Sequence, residues 1–232
     1  MAVDPLGLAE DVDEATARLL ATIGGLTDQT VPSRLPGWTV GHVLTHLARN
    51  ADGLVNLLIW ARTGEMTPMY PSWDAREADI EAGAPRSVPE QLADLRHAND
   101  RFVAAVDAMP PVAWTATVQA SLGPPMPAAQ VMWSRLREVE IHHVDLGAGY
   151  TPADWPEAFV VRMLHNLQRE LADRADAPRV VLRVPEIGHE VRLTPAAGTP
   201  VSGPGWAAVA WLIGRSAGEE LTGALPPVPV WR

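Results

Sequence analysis

The sequence predicts an α+β protein in which an N-terminal four-helix bundle precedes a small α+β domain. Two patterns indicate this fold class. Four amphipathic helical segments, separated by breaks rich in Pro and Gly, fill the first part of the chain. Two β-branched segments flanked by helices follow Gly149. A hydrophobic fraction of 47% suffices for a buried core. We therefore expect a helical bundle over residues 1–150 and a small α+β domain over residues 153–232.

Apolar residues at steps of three and four define the helices of the bundle. The helices are predicted at residues 6–24, 40–62, 87–109 and 128–146. Thr39 precedes the second helix as an N-cap, and Ser87 lies three residues before Glu90 in the spacing of a capping box. Residues 63–87 contain several Gly and Pro residues, so this connection is predicted to be irregular. Connections of that length inside a domain are often functional.

The second domain alternates helix and strand signals. Helices are predicted at residues 156–175 and 206–217, strands at residues 179–184 and 187–193, and a loop at residues 198–205. The turn between the two strands is expected at Pro185-Glu186 because Pro favours turns and interrupts strands. The strands are rich in Val, Ile and Leu, so they should pair and bury one face.

Charge and residue usage exclude several classes of function. The net charge of −10 argues against nucleic-acid binding, and no apolar run is long enough to cross a membrane. The N-terminus lacks the pattern of a signal peptide, so a cytoplasmic protein is expected. The expected oligomeric state is a monomer or a weak homo-oligomer. The chain has no Cys, and all 18 basic residues are Arg. A thiol nucleophile must therefore come from outside the chain, and Arg must bind any anionic substrate.

Histidines and carboxylates on two predicted helices form the candidate chemistry. His42 and His46 are one turn apart on the second helix, and the fourth helix carries the sequence EVEIHHVD at residues 138–145. Facing helices of a bundle can bind a metal through such residues. Two pairs on the fourth helix remain open, Glu138 with His142 and Glu140 with His143, and helical periodicity puts the second pair nearer the apolar stripe. Periodicity mildly favours His46 over His42, and an ordinary solvated helix face remains an alternative.

Four segments resemble one known family. They are residues 35–50 (LPGWTVGHVLTHLARN), 68–76 (PMYPSWDAR), 137–147 (REVEIHHVDLG) and 213–215 (IGR). In this order they resemble the mycothiol-dependent maleylpyruvate isomerases, within the DinB-like metalloenzyme superfamily. The resemblance extends over nearly the whole chain and includes the small C-terminal domain. It implies a DinB-like bundle for the first domain.

The resemblance also implies a site and a reaction. Its metal ligands correspond to His46, Glu138 and His142, followed by Asp145 as a partner of the ligands, and its essential arginine corresponds to Arg215. Zinc and mycothiol are the implied cofactors, and the implied activity is cis–trans isomerisation of a small molecule, maleylpyruvate. The expected contacts with substrate or thiol are Arg76, Arg49 and Tyr70. The alternatives are another mycothiol-dependent transferase or a metal-dependent hydrolase on the same scaffold, and a zinc-binding module without catalytic activity.

Overall fold

The computed structural model describes residues 4–121, 123–188, 190–194 and 198–229. The chain forms two compact units, Met1–Tyr150 and Thr151–Arg232. Helices dominate the first unit, and the second combines helices with a three-stranded sheet, so the predicted α+β class is confirmed. None of the described helices is both long and apolar enough to span a bilayer.

Four long helices and one shorter helix build the first unit, and the apolar periodicity predicts the four long ones. Its helices are α1 (Ala9–Gly24), α2 (Val40–Thr63), α3 (Trp73–Gly83), α4 (Val88–Asp107) and α5 (Gln130–Asp145). In the bundle, α2 contacts both α4 and α5, and α1 contacts the same two helices. A 3-10 helix at Pro111–Thr115 and a short antiparallel hairpin of β1 (Thr117–Gln119) and β2 (Pro125–Pro127) connect α4 to α5. Every α2 residue from Val43 to Ala48 is buried, so α2 lies at the centre of this unit.

The helix α3 corrects the prediction that residues 63–87 are irregular. Ser72 caps it by accepting a hydrogen bond from the backbone N–H of Ala75 at 3.0 Å. Only Ile80 and Gly83 of α3 are buried, and a helix with so small an apolar face gives no periodic signal. Glycines let the end of this segment approach α2 closely, because a Cβ on Gly41 would lie 2.1 Å from the carbonyl oxygen of Ala84.

The second unit contains a small mixed sheet and two helices. After a 3-10 helix at Pro152–Asp154, its elements are α6 (Glu157–Leu171), β3 (Val180–Arg183), β4 (Glu190–Arg192), β5 (Thr199–Ser202) and α7 (Gly205–Leu212). The strand order is β4-β3-β5, with β4 antiparallel and β5 parallel to β3. The strand β5 corrects the predicted loop over 198–205, and α7 ends five residues earlier than the predicted helix at 217. Residue 189, within the second predicted strand, lies outside the described residues.

The strand β5 escapes prediction because it begins with Thr199-Pro200 between two glycines, a composition typical of a turn. A proline is nevertheless compatible with an edge strand, where its nitrogen need not donate to a neighbour. Burial of Val201 at 1% exposure anchors the strand against the unit's core.

Candidate metal and substrate site

Two helices of the bundle bring three metal-type donor groups together. His46 lies on α2, and Glu138 and His142 lie one turn apart on α5. The Nε2 atom of His46 is 2.9 Å from Oε2 of Glu138 and 3.1 Å from Nε2 of His142. The third distance, from Nε2 of His142 to Oε2 of Glu138, is 3.3 Å. Within the described part of the chain, this is the one cluster of three such groups that could hold a metal ion.

The geometry of the cluster fits a tetrahedral divalent metal. Ligand atoms of a tetrahedral zinc with bonds of about 2.0–2.1 Å are separated by about 3.3 Å, close to the three distances observed. Two imidazole nitrogens and one carboxylate oxygen are also ligands that zinc accepts, and a three-residue set leaves a fourth position for a reactant. The side chain of Glu138 is 31% exposed and that of His142 14%, so the cluster is accessible from solvent.

The Asp145 carboxylate orients one of these donors. Its Oδ2 lies 2.9 Å from Nδ1 of His142, and Asp145 is 1% exposed. This bond puts a hydrogen on Nδ1 and directs Nε2 toward Glu138, as in many metal-binding histidines. Burial lowers the pKa of His142, but hydrogen bonds to Asp145 and Glu138 outweigh burial and raise it to about 9 in the absence of a metal.

The electrostatics of the cluster keep Glu138 ionised. Burial by itself would raise the pKa of the Glu138 carboxyl, but hydrogen bonds from His142 and His46 hold it well below the usual 4.5. Burial lowers the pKa of His46, and the nearby charges of His142 and Arg76 lower it further. At neutral pH the cluster therefore presents a carboxylate between one neutral and one charged imidazole. A divalent cation that binds there replaces the proton of the charged imidazole.

The neighbouring histidines have structural roles. His42 helps to cap the N-terminus of α2, since its Nδ1 accepts a hydrogen bond from the backbone N–H of Thr39 at 3.1 Å. His143 is 1% exposed, stacks on Tyr150 with ring centroids 3.8 Å apart, and lies with Nε2 2.8 Å from the hydroxyl of Thr22. Helical periodicity correctly predicts the burial of His143, but the α5 histidine that joins the cluster is the less buried His142.

Glu140 also faces away from the cluster, toward α1. Its Oε1 accepts a hydrogen bond from Arg18 at 2.7 Å, and its Oε2 accepts one from the hydroxyl of Tyr150 at 2.6 Å. Burial raises the pKa of Glu140. Glu140 therefore links α5 to α1, whereas Glu138 and His142 lie on another side of α5 and form the metal-type cluster.

Two predicted substrate contacts lie beside the cluster. Arg76, on α3, places Nη2 3.0 Å from Nδ1 of His46, and its side chain is 10% exposed. Its guanidinium lies over the rings of Trp73 and Tyr70, at 4.7 and 5.8 Å from their centroids. Burial together with the charge of Glu138 raises the pKa of the Tyr70 hydroxyl to about 12. Tyr70 is therefore a neutral hydroxyl at physiological pH.

The other two predicted arginines have different surroundings. Arg49 lies one turn after His46, and its Nη2 is 2.8 Å from Oδ1 of Asp94 and 3.0 Å from Oδ2 of Asp52. Arg215 belongs to the second unit, just beyond the end of α7, where its Nη1 donates to the carbonyl oxygen of Ile213 at 2.9 Å. Gly214 precedes it with a φ of 73°, a left-handed conformation suited to a chain that leaves a helix.

Two residues near the cluster escape prediction from the sequence. Arg135 is completely buried one turn before Glu138, and its Nη1 donates to the carbonyl of Leu47 and to Oδ1 of Asn50. Burial lowers its pKa to about 10. The ring of Trp38 lies 5.6 Å from that of His46. The signal for Arg135 is its spacing of three residues from Glu138, and the signal for Trp38 is its position in the motif of residues 35–50.

Comparison with known proteins assigns the family. The model of the mycothiol maleylpyruvate isomerase N-terminal domain matches residues 10–147. A crystal structure of a mycothiol-dependent maleylpyruvate isomerase is 28% identical, with a TM-score of 0.91 over 98% of this chain and 97% of that chain. A histidine-to-alanine mutant of such an isomerase is 29% identical, with a TM-score of 0.90 and the same 98% and 97% coverage. No curated protein matches the sequence significantly. The domain match spans more than half of the chain and confirms the resemblance of its motifs, so this chain belongs to the mycothiol maleylpyruvate isomerase family.

Proposed function

We propose that this protein converts maleylpyruvate to fumarylpyruvate by cis–trans isomerisation, with mycothiol as the external thiol and zinc as the metal. The convergence of His46, Glu138 and His142 within a member of this isomerase family carries the proposal. The composition supports it as well. A chain without Cys has no sulfur nucleophile of its own, so a reaction that needs a thiolate must take it from a cofactor.

The metal would be held by Nε2 of His46, a carboxylate oxygen of Glu138 and Nε2 of His142. Bound there, zinc supplies Lewis acidity that lowers the pKa of a coordinated thiol or water and polarises a carbonyl oxygen. Asp145 holds the imidazole of His142 in the orientation and tautomer that this role requires. The open side of the cluster, at Glu138 and His142, is the direction from which reactants would approach.

The reaction requires a temporary single bond between the two alkene carbons. A bound thiolate would supply the nucleophile for one alkene carbon, and the electron pair of the double bond would move onto the conjugated carbonyl oxygen to give an enolate. The bond between the two former alkene carbons would then be single and free to rotate. Return of the electron pair and cleavage of the carbon–sulfur bond would give the trans alkene and regenerate the thiolate. The protein must stabilise the enolate charge and hold the two carboxylates of the substrate.

Arginine and tyrosine side chains supply these functions. Arg215 would stabilise the developing negative charge, and Arg76 and Arg49 would bind carboxylates through their planar donors. Arg49 would have to share its guanidinium with Asp52 and Asp94, which already bind it, so its contribution should be smaller. The Tyr70 hydroxyl keeps its proton at neutral pH and would donate a hydrogen bond to a substrate oxygen.

Turnover of maleylpyruvate with and without mycothiol tests the proposal. The zinc-loaded protein should isomerise maleylpyruvate when mycothiol is present and should be nearly inactive without it. Removal of the metal with a chelator should abolish turnover, and zinc should restore it. Full activity without a thiol would contradict the proposal. A stable thioether product, formed without release of fumarylpyruvate, would instead indicate a mycothiol transferase.

A further inference from the structure

The contact between Arg76 and His46 is unusual for a histidine that binds metal. Nη2 of Arg76 lies 3.0 Å from Nδ1 of His46, while Nε2 of the same ring faces Glu138 and His142. The guanidinium is held in this position by an ion pair between its Nη1 and Glu77 and by the ring of Trp73. The contact is therefore part of an ordered arrangement on α3, and the arginine side chain is largely buried.

The hydrogen-bond partners assign the hydrogens on the two imidazoles. An arginine side chain can only donate hydrogen bonds, so Nδ1 of His46 accepts from Arg76. The neutral His46 ring then carries its hydrogen on Nε2 and donates it to Oε2 of Glu138 at 2.9 Å. His142 is arranged in the opposite way, because its Nδ1 donates to the carboxylate of Asp145. Nδ1 of His46 thus faces a hydrogen-bond donor, whereas Nδ1 of His142 faces a hydrogen-bond acceptor.

Coordination of a metal by Nε2 of His46 requires a lone pair on that nitrogen. The hydrogen of the neutral ring must then be on Nδ1, which becomes a donor. Metal-bound histidines accordingly direct this second nitrogen toward a carboxylate, a carbonyl or water. Asp145 provides that partner for His142, but Arg76 provides another donor for His46. Two donors at 3.0 Å cannot form a hydrogen bond, and the guanidinium is also positively charged.

We propose that metal binding and the hydrogen bond from Arg76 to His46 exclude each other, so that metal loading releases Nη2 of Arg76. The inference rests on the proposed metal site. The released guanidinium remains tethered through α3 beside Tyr70 and Trp73, where it becomes available to a carboxylate of the substrate. One guanidinium nitrogen cannot serve both Nδ1 of His46 and an anion, so the anion-binding group is freed only when a metal occupies Nε2 of His46.

Zinc affinity, measured by competition with a chelator, tests the exclusion. Arg76→Met removes the competing donor and should tighten zinc binding at least about tenfold, the lower end of the effect of outer-shell partners on metal affinity. Arg76→Gln provides a second variant, whose amide oxygen can accept from Nδ1, and should also tighten binding. Arg49→Met is the matched control for charge, because it removes a positive charge one turn along α2 without touching a metal ligand. It should change the affinity much less, by under about threefold. Equal effects of Arg76→Met and Arg49→Met, or no effect of either Arg76 variant, would overturn the inference.

A structure of the zinc-loaded protein provides an independent readout. Nη2 of Arg76 should lie beyond hydrogen-bonding distance of Nδ1 of His46, and nitrogen NMR should find the hydrogen of His46 on Nδ1. A contact retained at its present length in the loaded protein would overturn the inference and leave the metal site intact. Failure of both wild type and Arg76→Met to bind zinc would instead overturn the metal site itself, and the inference with it.

Discussion

Asp145 binds the outer nitrogen of His142 through a hydrogen bond of 2.9 Å, from a position that is almost completely buried. The two residues are three apart on α5, so one turn of helix supplies both a candidate metal ligand and the group that orients it. The backbone carbonyl of Asp145 also accepts a hydrogen bond from the N–H of Arg34 at 2.8 Å. This second bond ties the end of α5 to the segment that precedes α2.

Asp145→Asn should weaken zinc binding by about 10–100-fold, because the amide oxygen holds the His142 ring less strongly than a carboxylate does. Asp176→Asn is the matched control, since Asp176 forms an exposed ion pair with Arg174 in the second unit. The control should bind zinc as wild type does. Chelator competition on both variants measures the difference, and equal affinities would contradict the orienting role of Asp145.

The metal-free protein should lose stability as the pH rises from 6.5 to about 9. The folded-state pKa of His142 is about 9 and its ordinary value is 6.5, so its stabilising bonds are fully present below 6.5 and are lost as the pH rises through the folded-state value. Urea unfolding in the presence of a chelator measures this dependence. Metal-free Asp145→Asn should show a smaller decrease over the same range, because it lacks one of the two bonds that raise the pKa. An identical decrease in both proteins would contradict the assignment.

Gly41→Ala should destabilise the protein by at least about 1–3 kcal/mol, the usual cost of overpacking. Its Cβ would lie 2.1 Å from the carbonyl oxygen of Ala84, and backbone at the end of α3 would have to move. Gly24→Ala is the matched control at the end of α1, where a Cβ meets no atom within 4 Å. The control should be neutral or slightly stabilising. Urea unfolding compares the two variants. Equal free energies of unfolding would contradict the prediction and show that the end of α3 moves aside without loss of stability.

Arg215→Ala should lower isomerase turnover by about 10²–10³-fold, the usual effect of removing one donor that stabilises an oxyanion. Its zinc content should stay at the wild-type level, because Arg215 is not among the proposed ligands. Arg174→Ala, which removes an exposed arginine of the same unit, serves as the control and should retain turnover. Steady-state kinetics and metal analysis on both variants check the prediction. Wild-type turnover in Arg215→Ala would exclude it as the stabilising group.

The sequence predicts the bundle well because burial leaves a periodic signal. Residues such as Leu19 and Ile23 on α1, or Val43 and Leu47 on α2, are buried and recur at helical spacing. The helix α3 lacks that signal, because its packing depends on Ile80 and on glycines that permit close approach. Close approach between backbones depends on the folded arrangement and cannot be recognised from residue type alone.

The candidate site shows a different limit of sequence reasoning. Periodicity ranks Glu140 and His143 as the inward pair, and both are indeed 1% exposed. A cluster that exchanges metal and substrate needs access to solvent, which the partly exposed Glu138 and His142 retain. Family motifs select these two residues where periodicity favours the other pair. The contact between Arg76 and His46 joins segments 30 residues apart, and no local pattern predicts it.

The metal content of His142→Ala and His143→Ala tests the central claim most directly. The two adjacent histidines differ in their partners, since His142 joins the cluster with His46 and Glu138 whereas His143 binds Thr22 and stacks on Tyr150. Elemental analysis of the zinc-loaded proteins should find one zinc ion per chain in wild type and in His143→Ala, and none in His142→Ala. His143→Ala should instead lose about 1–3 kcal/mol of stability, because it removes a buried imidazole and leaves the half-buried hydroxyl of Thr22 without this partner. Zinc retained by His142→Ala, or lost equally from both variants, would contradict the assignment of His46, Glu138 and His142 as the metal site.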